Sequence, residues 1–597
     1  MNLALTRSGL ISIESEFTMK RNKLWRAICG TRLCGLWALI LTVSAAFGES
    51  PKISPDLASL PSTAPVNVVV QYYSAPTNSN VNAAKSVGAA NGKALGLVNS
   101  YKWSMTQGSV QSLIAQDSNI KYVSLDRPVQ GAMNYAAAAV GADMARIMGY
   151  DGTGVGVAVI DSGVNPIADL GVLGTKNSRV VYNENFDASA STTADLYGHG
   201  THVAGIIAGN GTSSACSNCT VTFRGIAPNA NIINLRALDQ NGSATDSTVI
   251  AAIQRAIDLQ SQYNIRVINL SLGRGVFEGY TLDPLCQAVE KAWKTGIVVV
   301  VAAGNYGRDN SFNNNGYGTI TSPGIDPYVI TVGAMRTMGT ATRADDVIAS
   351  YSSKGPTMLD HIVKPDIVAP GNLIVSSLAS TTDTLYTLYP QNAVSIASYT
   401  ISNTSNTSST YYRLSGTSMA APMVSGAVAL LLQQNPLLAP DQVKARLMKT
   451  AYKTFPSYST YTDPLTGTTY SEQYDIFTVG AGYLDIVAAL NNTDLASAKV
   501  GSALSPTAVY NSKTGTVYLQ NGCAAIWDTS VVWGTSVVWG TSVIWGTNTS
   551  GQSVVWGSSV VWGSSTSSGF SVIWGTSVVW GTNSVSEALA VAIGGDR

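Results

Sequence analysis

The chain has 597 residues, more than one ordinary domain needs and enough for a large core with further modules attached. Charged residues make up only 12% and the formal net charge is zero, so there is no basic footprint and nucleic acid is not an expected partner. Abundant Gly, Ser, Thr and Asn suit a loop-rich extracellular protein, although bland globular proteins share that composition.

In chain order, residues 1–48 read as a secretory signal peptide. The basic stretch Lys20-Arg21-Asn22-Lys23 precedes an apolar run from Leu33 to Val43, and Ser44, Ala45 and Ala46 follow as a cleavage region. Residues 1–18 fit that pattern poorly, and Met19 is the natural start. The apolar run is short for a bilayer, so no stable membrane span is expected, and the expected location is secreted or at the cell surface. Residues 49–65 read as a Pro/Ser-rich linker. Over 66–132 the strand Val66–Tyr73, a helix Ser109–Ala115 and the strand Lys121–Leu125 suggest a small α+β module.

From 133 to 495 the pattern alternates. Val155–Ile160, Asn231–Leu235, Val267–Leu270 and Ile297–Ala302 are apolar strands, and Asp246–Asp258, Leu285–Lys294, Met419–Leu432 and Gln442–Met448 are helical. Buried strands alternating with helices predict an α/β fold, a three-layer parallel sheet with helices on both faces. The Ser/Thr/Tyr-rich stretch 376–412 reads as surface decoration in preference to a cleft rim. Residues 496–525 read as a second linker. Over 526–581 a unit near Ser-Val-Val-Trp-Gly-Thr recurs, with Trp527, Trp533, Trp539 and Trp545 six residues apart. Val and Ile beside each Trp, with Gly after it, predict a short repetitive β-structure in preference to a ligand site. Residues 582–597 are a C-terminal tail.

Four segments carry chemistry. Asp161 ends an apolar strand, where open α/β sheets build their sites. His199 and His202 are two of only three histidines and lie in Gly-His-Gly-Thr-His-Val-Ala-Gly. A metal pair there lacks the Glu of a His-Glu-x-x-His helix, and no metal site is expected. Asn305 follows the strand Val299–Ala302, where a side-chain amide can donate to an oxyanion. Ser418 opens an apolar helix, whose free N–H groups and dipole favour negative charge. Each segment alone has a structural reading at least as good: a turn Asp, a buried His, a loop Asn, a helix N-cap. The order Asp, His, Ser separates this set from hydrolases that run Ser, Asp, His.

Val-Ile-Asp-Ser-Gly, His-Gly-Thr-His-Val-Ala-Gly, Ala-Ala-Gly-Asn and Gly-Thr-Ser-Met-Ala-Ala-Pro together resemble the subtilase family of serine proteases. The resemblance implies a serine endopeptidase acting through an acyl-enzyme, with Asp161, His199 and Ser418 as catalytic triad and Asn305 as oxyanion donor. It implies that an extended protein or peptide substrate lies along Ser271, Leu272 and Gly273, with Ala302, Ala303 and Gly304 across the primary pocket. It also implies that 66–132, ending near Lys121–Asp126, is an inhibitory propeptide, cut between about Asp126 and Tyr135. The chain would then be a self-processed zymogen with its own propeptide as intramolecular inhibitor. No cofactor is expected to be required. The loop 209–220, where many relatives bind calcium, has no carboxylate; calcium elsewhere stays open, with no site identifiable. Cys216 and Cys219 are the expected disulfide, in preference to half of a zinc site. The competing reading is a surface adhesion protein that uses the Trp repeats, with the subtilase fold catalytically dispensable.

Overall fold

A computed structural model describes residues 52–58, 60–126, 133–311, 314–401, 406–464, 466–511, 516–520, 543–546, 561–563 and 591–596. The signal segment and most of the Trp repeat fall outside the described residues. The chain divides into two compact units, residues 1–129 and 130–597.

The first unit is built from β1 (Pro65–Tyr72), α1 (Asn78–Ser86), β2 (Ala90–Leu95), β3 (Ser100–Thr106), α2 (Gln107–Gln116) and β4 (Ile120–Leu125). Its sheet runs in the order β2-β3-β1-β4, and the pairings are antiparallel. This is the split β-α-β-β-α-β arrangement. β1 alternates as a half-buried strand should, with Val66, Val68, Val70 and Tyr72 in the core beside Trp103, Val110 and Leu113. α1, β2 and β3 were not expected. Every residue of β2 but the last is exposed, so its sequence Ala-Asn-Gly-Lys-Ala-Leu carries no apolar alternation to read. The expected linker 49–65 also needs correction. Ser54 N–H donates to the Val123 carbonyl at 2.9 Å, and Leu57 is fully buried in this unit's core.

The second unit is organised on one twisted sheet in the order β11-β10-β9-β8-β5-β7-β6, with β12 also pairing β10. β5 (Gly156–Asp161), β6 (Val180–Asn185), β7 (Asn231–Arg236), β8 (Ile265–Leu270), β9 (Val298–Ala302), β10 (Ile330–Arg336) and β12 (Ile367–Pro370) are mutually parallel; only β11 (Val347–Ile348) runs against β10. Every residue of β5 and β9 is buried, as a strand must be when helices cover both of its faces. The helices His199–Ala208 (α3) and Thr417–Gln434 (α4) pack together and against the sheet. Asp246–Asp258 (α5) and Pro284–Lys294 (α6) form a second packed pair. Among the described residues no helix is long and apolar enough to cross a membrane.

Three further expectations change. The stretch 376–412 is not surface decoration. Together with flanking residues it forms the sheet β13 (Ile374–Ser377), β15 (Thr407–Leu414), β14 (Ala393–Ser395), whose Tyr411 and Tyr412 are each 1% exposed. The segment 496–525 holds an antiparallel pair, β16 (Thr507–Asn511) with β17 (Thr516–Gln520), and Ala508 N–H donates to the His361 carbonyl at 2.8 Å. Within the repeat, Val543–Gly546 and Val561–Gly563 are strands that pair in parallel with Trp545 opposite Trp562. The tail is not wholly detached either, since 591–596 pack in the second unit's core region.

Candidate active site

Asp161 is the last residue of β5, so the sheet delivers its carboxylate at the carboxyl edge, where the chain turns away. It is 1% exposed. Oδ1 accepts from the Ser162 N–H at 2.8 Å and lies 2.8 Å from His199 Nδ1. That contact fixes the ring orientation and makes Nδ1 the protonated nitrogen while the imidazole is neutral, leaving the Nε2 lone pair able to accept a proton.

His199 opens α3. It comes close to Asp161 because residue 200 is glycine: a Cβ there would sit 2.2 Å from the Gly163 carbonyl and 3.1 Å from Asp161 Cβ. Burial works against the charged imidazole, but the Asp161 charge and hydrogen bond, with the Asp195 charge beyond, outweigh it and raise the His199 pKa above 6.5. His202 sits one turn on, fully buried, with Nε2 at 3.2 Å from the Ile374 and Tyr412 carbonyls. Burial, with the His199 charge, lowers its pKa to about 3, so it is neutral and structural.

Asp195 carries no motif and was missed from sequence. Its Oδ1 accepts from Gly198 N–H at 2.7 Å and Ser162 Oγ at 2.8 Å, and its Oδ2 from Thr201 N–H at 2.7 Å. It therefore caps the start of α3 and locks the loop between Asp161 and His199.

Ser418 lies in the first turn of α4, where backbone N–H groups have no intrahelical acceptor. Four residues on is Pro422, which has no N–H to return to the Ser418 carbonyl. That carbonyl is satisfied by Ser271 Oγ at 2.8 Å, and Ser271 is held in turn by Asn269 Nδ2 at 2.9 Å. Beyond it, Leu272 and Gly273 leave the end of β8 with no backbone partner among the described residues, so they offer an open edge. Ala302, Ala303 and Gly304 differ. Ala303 N–H donates to Val332, its carbonyl accepts from Thr321, and Gly304 N–H donates to Thr417 Oγ1 at 3.1 Å. They have little backbone left to pair, and none of the three is among the residues that line the cleft holding Ser418.

Asn305 Oδ1 accepts from the Thr417 N–H at 2.9 Å and the Thr417 hydroxyl at 3.0 Å. With the oxygen thus occupied, Nδ2 is the atom left to donate. Gly416 makes this approach feasible, with φ of 142° and space for a Cβ only 3.1 Å from Asn305 Nδ2. His199, Ser418, Asn305, Ser271, Leu272 and Gly273 line one cleft of about 600 Å³, with Asp161 behind the histidine. Thr384 and Leu388, from the stretch expected to be decoration, line it too.

Among the described residues no group of three or more His, Cys, Asp or Glu is arranged to hold a metal. Cys216 and Cys219 are joined in a disulfide within the loop 209–220. The oxygens there serve other partners: Asn210 Oδ1 accepts from Thr212, and Asp169, beside it, accepts from the Ser213 N–H and the Tyr411 hydroxyl. These residues do not fit a calcium site.

The model of the Subtilase family matches residues 152–500. Serine protease AprX of Bacillus subtilis (strain 168) is 37% identical over 361 residues, covering 59% of this chain and 73% of that protein. Subtilisin DY of Bacillus licheniformis is 34% identical, over 53% of this chain and 90% of its own. Subtilisin E of Bacillus subtilis (strain 168) is 30% identical, over 72% of this chain and 94% of its own.

Proposed function

Because this chain belongs to the subtilase family and is a serine-type endopeptidase, we propose that it cleaves protein substrates through an acyl-enzyme formed on Ser418, and that it is exported as a zymogen. Ser418 Oγ attacks the scissile carbonyl. His199 Nε2 takes the hydroxyl proton and later returns it to the leaving amine, while Asp161 holds the tautomer and stabilises the imidazolium. The Asn305 amide and the Ser418 N–H receive the oxyanion. The observation that carries this reading is the 2.8 Å Asp161–His199 hydrogen bond opening onto the cleft that also contains Ser418 and Asn305.

The substrate is read as an extended chain pairing with Leu272 and Gly273, whose free backbone groups support β-augmentation. The 66–132 segment is read as the inhibitor and folding partner of the peptidase, released by a cut between about Asp126 and Tyr135. Its independent core supports a separable unit. The basic stretch Lys20–Lys23 followed by the apolar run Leu33–Val43 supports export.

Ser418→Ala is the test. Hydrolysis of an unfolded protein substrate should fall by roughly 10⁴-fold or more, toward what binding and the oxyanion site give alone. Undiminished hydrolysis would remove Ser418 from the reaction.

A further inference from the structure

The family match ends at residue 500, yet the described residues 591–596 return to the catalytic unit and add Ala592 to the cleft wall. They are held along their whole length. The Ser415 N–H donates to the Ala592 carbonyl at 2.8 Å, three residues before Ser418. Asn392 Nδ2 donates to the Ile593 carbonyl at 2.9 Å. Asn372 meets Asp596 twice: its Oδ1 accepts the Asp596 N–H at 2.8 Å and its Nδ2 donates to the Asp596 carbonyl at 2.9 Å.

The Asp596 side chain is the anchor, at 1% exposure. Oδ1 binds Arg308 Nη2 at 2.7 Å and Ser350 Oγ at 2.8 Å, and Oδ2 accepts the Ser350 N–H at 2.8 Å. Val591 and Ile593 are 3% and 7% exposed, so apolar contacts flank the polar ones. Gly595 is required by fit, since a Cβ there would meet Ser415 Oγ at 2.3 Å and Asn372 Oδ1 at 2.5 Å, at a φ of +56°. Arg308 follows Asn305 by three residues. The socket therefore grips the loop that carries the oxyanion amide as well as the turn that leads to Ser418.

We propose that Val591–Asp596 is an intramolecular clasp that completes the catalytic cleft, holding the Asn305–Arg308 loop and the Ser415–Ser418 turn in register. The described residues that flank the Trp repeats in sequence thus both bond to the peptidase, Ala508 on one side and 591–596 on the other. The catalytic consequence rests on the reading of Ser418 as nucleophile; the clasp itself does not.

The experiment places a recognition sequence for an unrelated, site-specific protease between residues 582 and 590 of the full chain, so that the clasp is severed only after folding. The cut wild-type clasp should stay bound through gel filtration, with activity kept. The cut Asp596→Ala chain should release it and lose at least tenfold in kcat/KM on a chromogenic peptide amide. A synthetic peptide of residues 591–597 should restore that activity saturably, and the same peptide with the Asp596→Ala change should not. Should Asp596→Ala fail to fold, the cut wild-type chain and Asp596→Asn carry the test. Free separation of the cut peptide with full activity retained would overturn the clasp, as would a cut Asp596→Ala chain with undiminished kcat/KM. Fluorophosphonate labelling of the uncut chain separates the two readings: failure to label Ser418 counts against the nucleophile, whereas peptide retention reports on the clasp alone.

Discussion

Asn305 has one amide oxygen and one amide nitrogen to place, and Thr417 claims the oxygen. That single preference turns a loop asparagine into a directed donor. Asn305→Leu should therefore lower kcat by about 10²–10³ while leaving KM nearly unchanged, because the lost hydrogen bond strengthens only as charge develops. A rise in KM with unchanged kcat would make Asn305 a ground-state contact instead. His199 allows a second prediction. If the neutral His199 imidazole is the base, its raised pKa places the acid limb above the usual imidazole range, and activity is lost as pH falls through it. In Asp161→Asn the main raising influences are gone and burial dominates, so the limb in kcat/KM against pH should move down, with kcat lower by roughly 10⁴-fold. A limb that stays in place would mean Asp161 does not set the charge state of His199.

At the scale of elements, the serine helix depends on a neighbour strand. Pro422 cannot satisfy the Ser418 carbonyl, and the hydroxyl of Ser271 does so from the end of β8. Ser271→Ala should destabilise the second unit by about 1 kcal/mol in denaturant unfolding, the worth of a part-buried hydrogen bond. Ser271→Thr should recover most of it. No difference between the Ala and Thr variants would show that the hydroxyl is not what holds the helix. Much of this site was legible in the sequence, because Asp161, His199 and Ser418 each stand where an apolar run begins or ends. Asp195 was not, since its three hydrogen bonds are made with residues whose positions only the folded loop defines. The same holds for β2, whose exposed edge leaves no periodicity, and for Asp596, which finds Arg308 across 288 positions of chain. Tyr411 and Tyr412 misled for the opposite reason, since Ser/Thr-rich flanks made buried aromatics look like surface.

For the whole molecule, the chain is a protease with accessory segments on either side of it in sequence. If 66–132 is a propeptide removed by the enzyme itself, Ser418→Ala should accumulate as a precursor whose N-terminus lies before Asp126. The wild-type chain should carry a new N-terminus between about Asp126 and Tyr135. Intact-mass measurement of both secreted forms checks this. Identical mature N-termini would assign the cut to another protease. If the chain is exported, its low density of charge and the disulfide at Cys216–Cys219 suit that setting.

The most direct test of the central claim is covalent. Mature enzyme treated with a fluorophosphonate should take up one label per chain, located by peptide mass spectrometry on Ser418, with loss of hydrolysis in proportion to labelling. His199→Ala should suppress the labelling, because the serine loses its base. A label on another serine, or full hydrolysis by a chain quantitatively labelled at Ser418, would contradict the account.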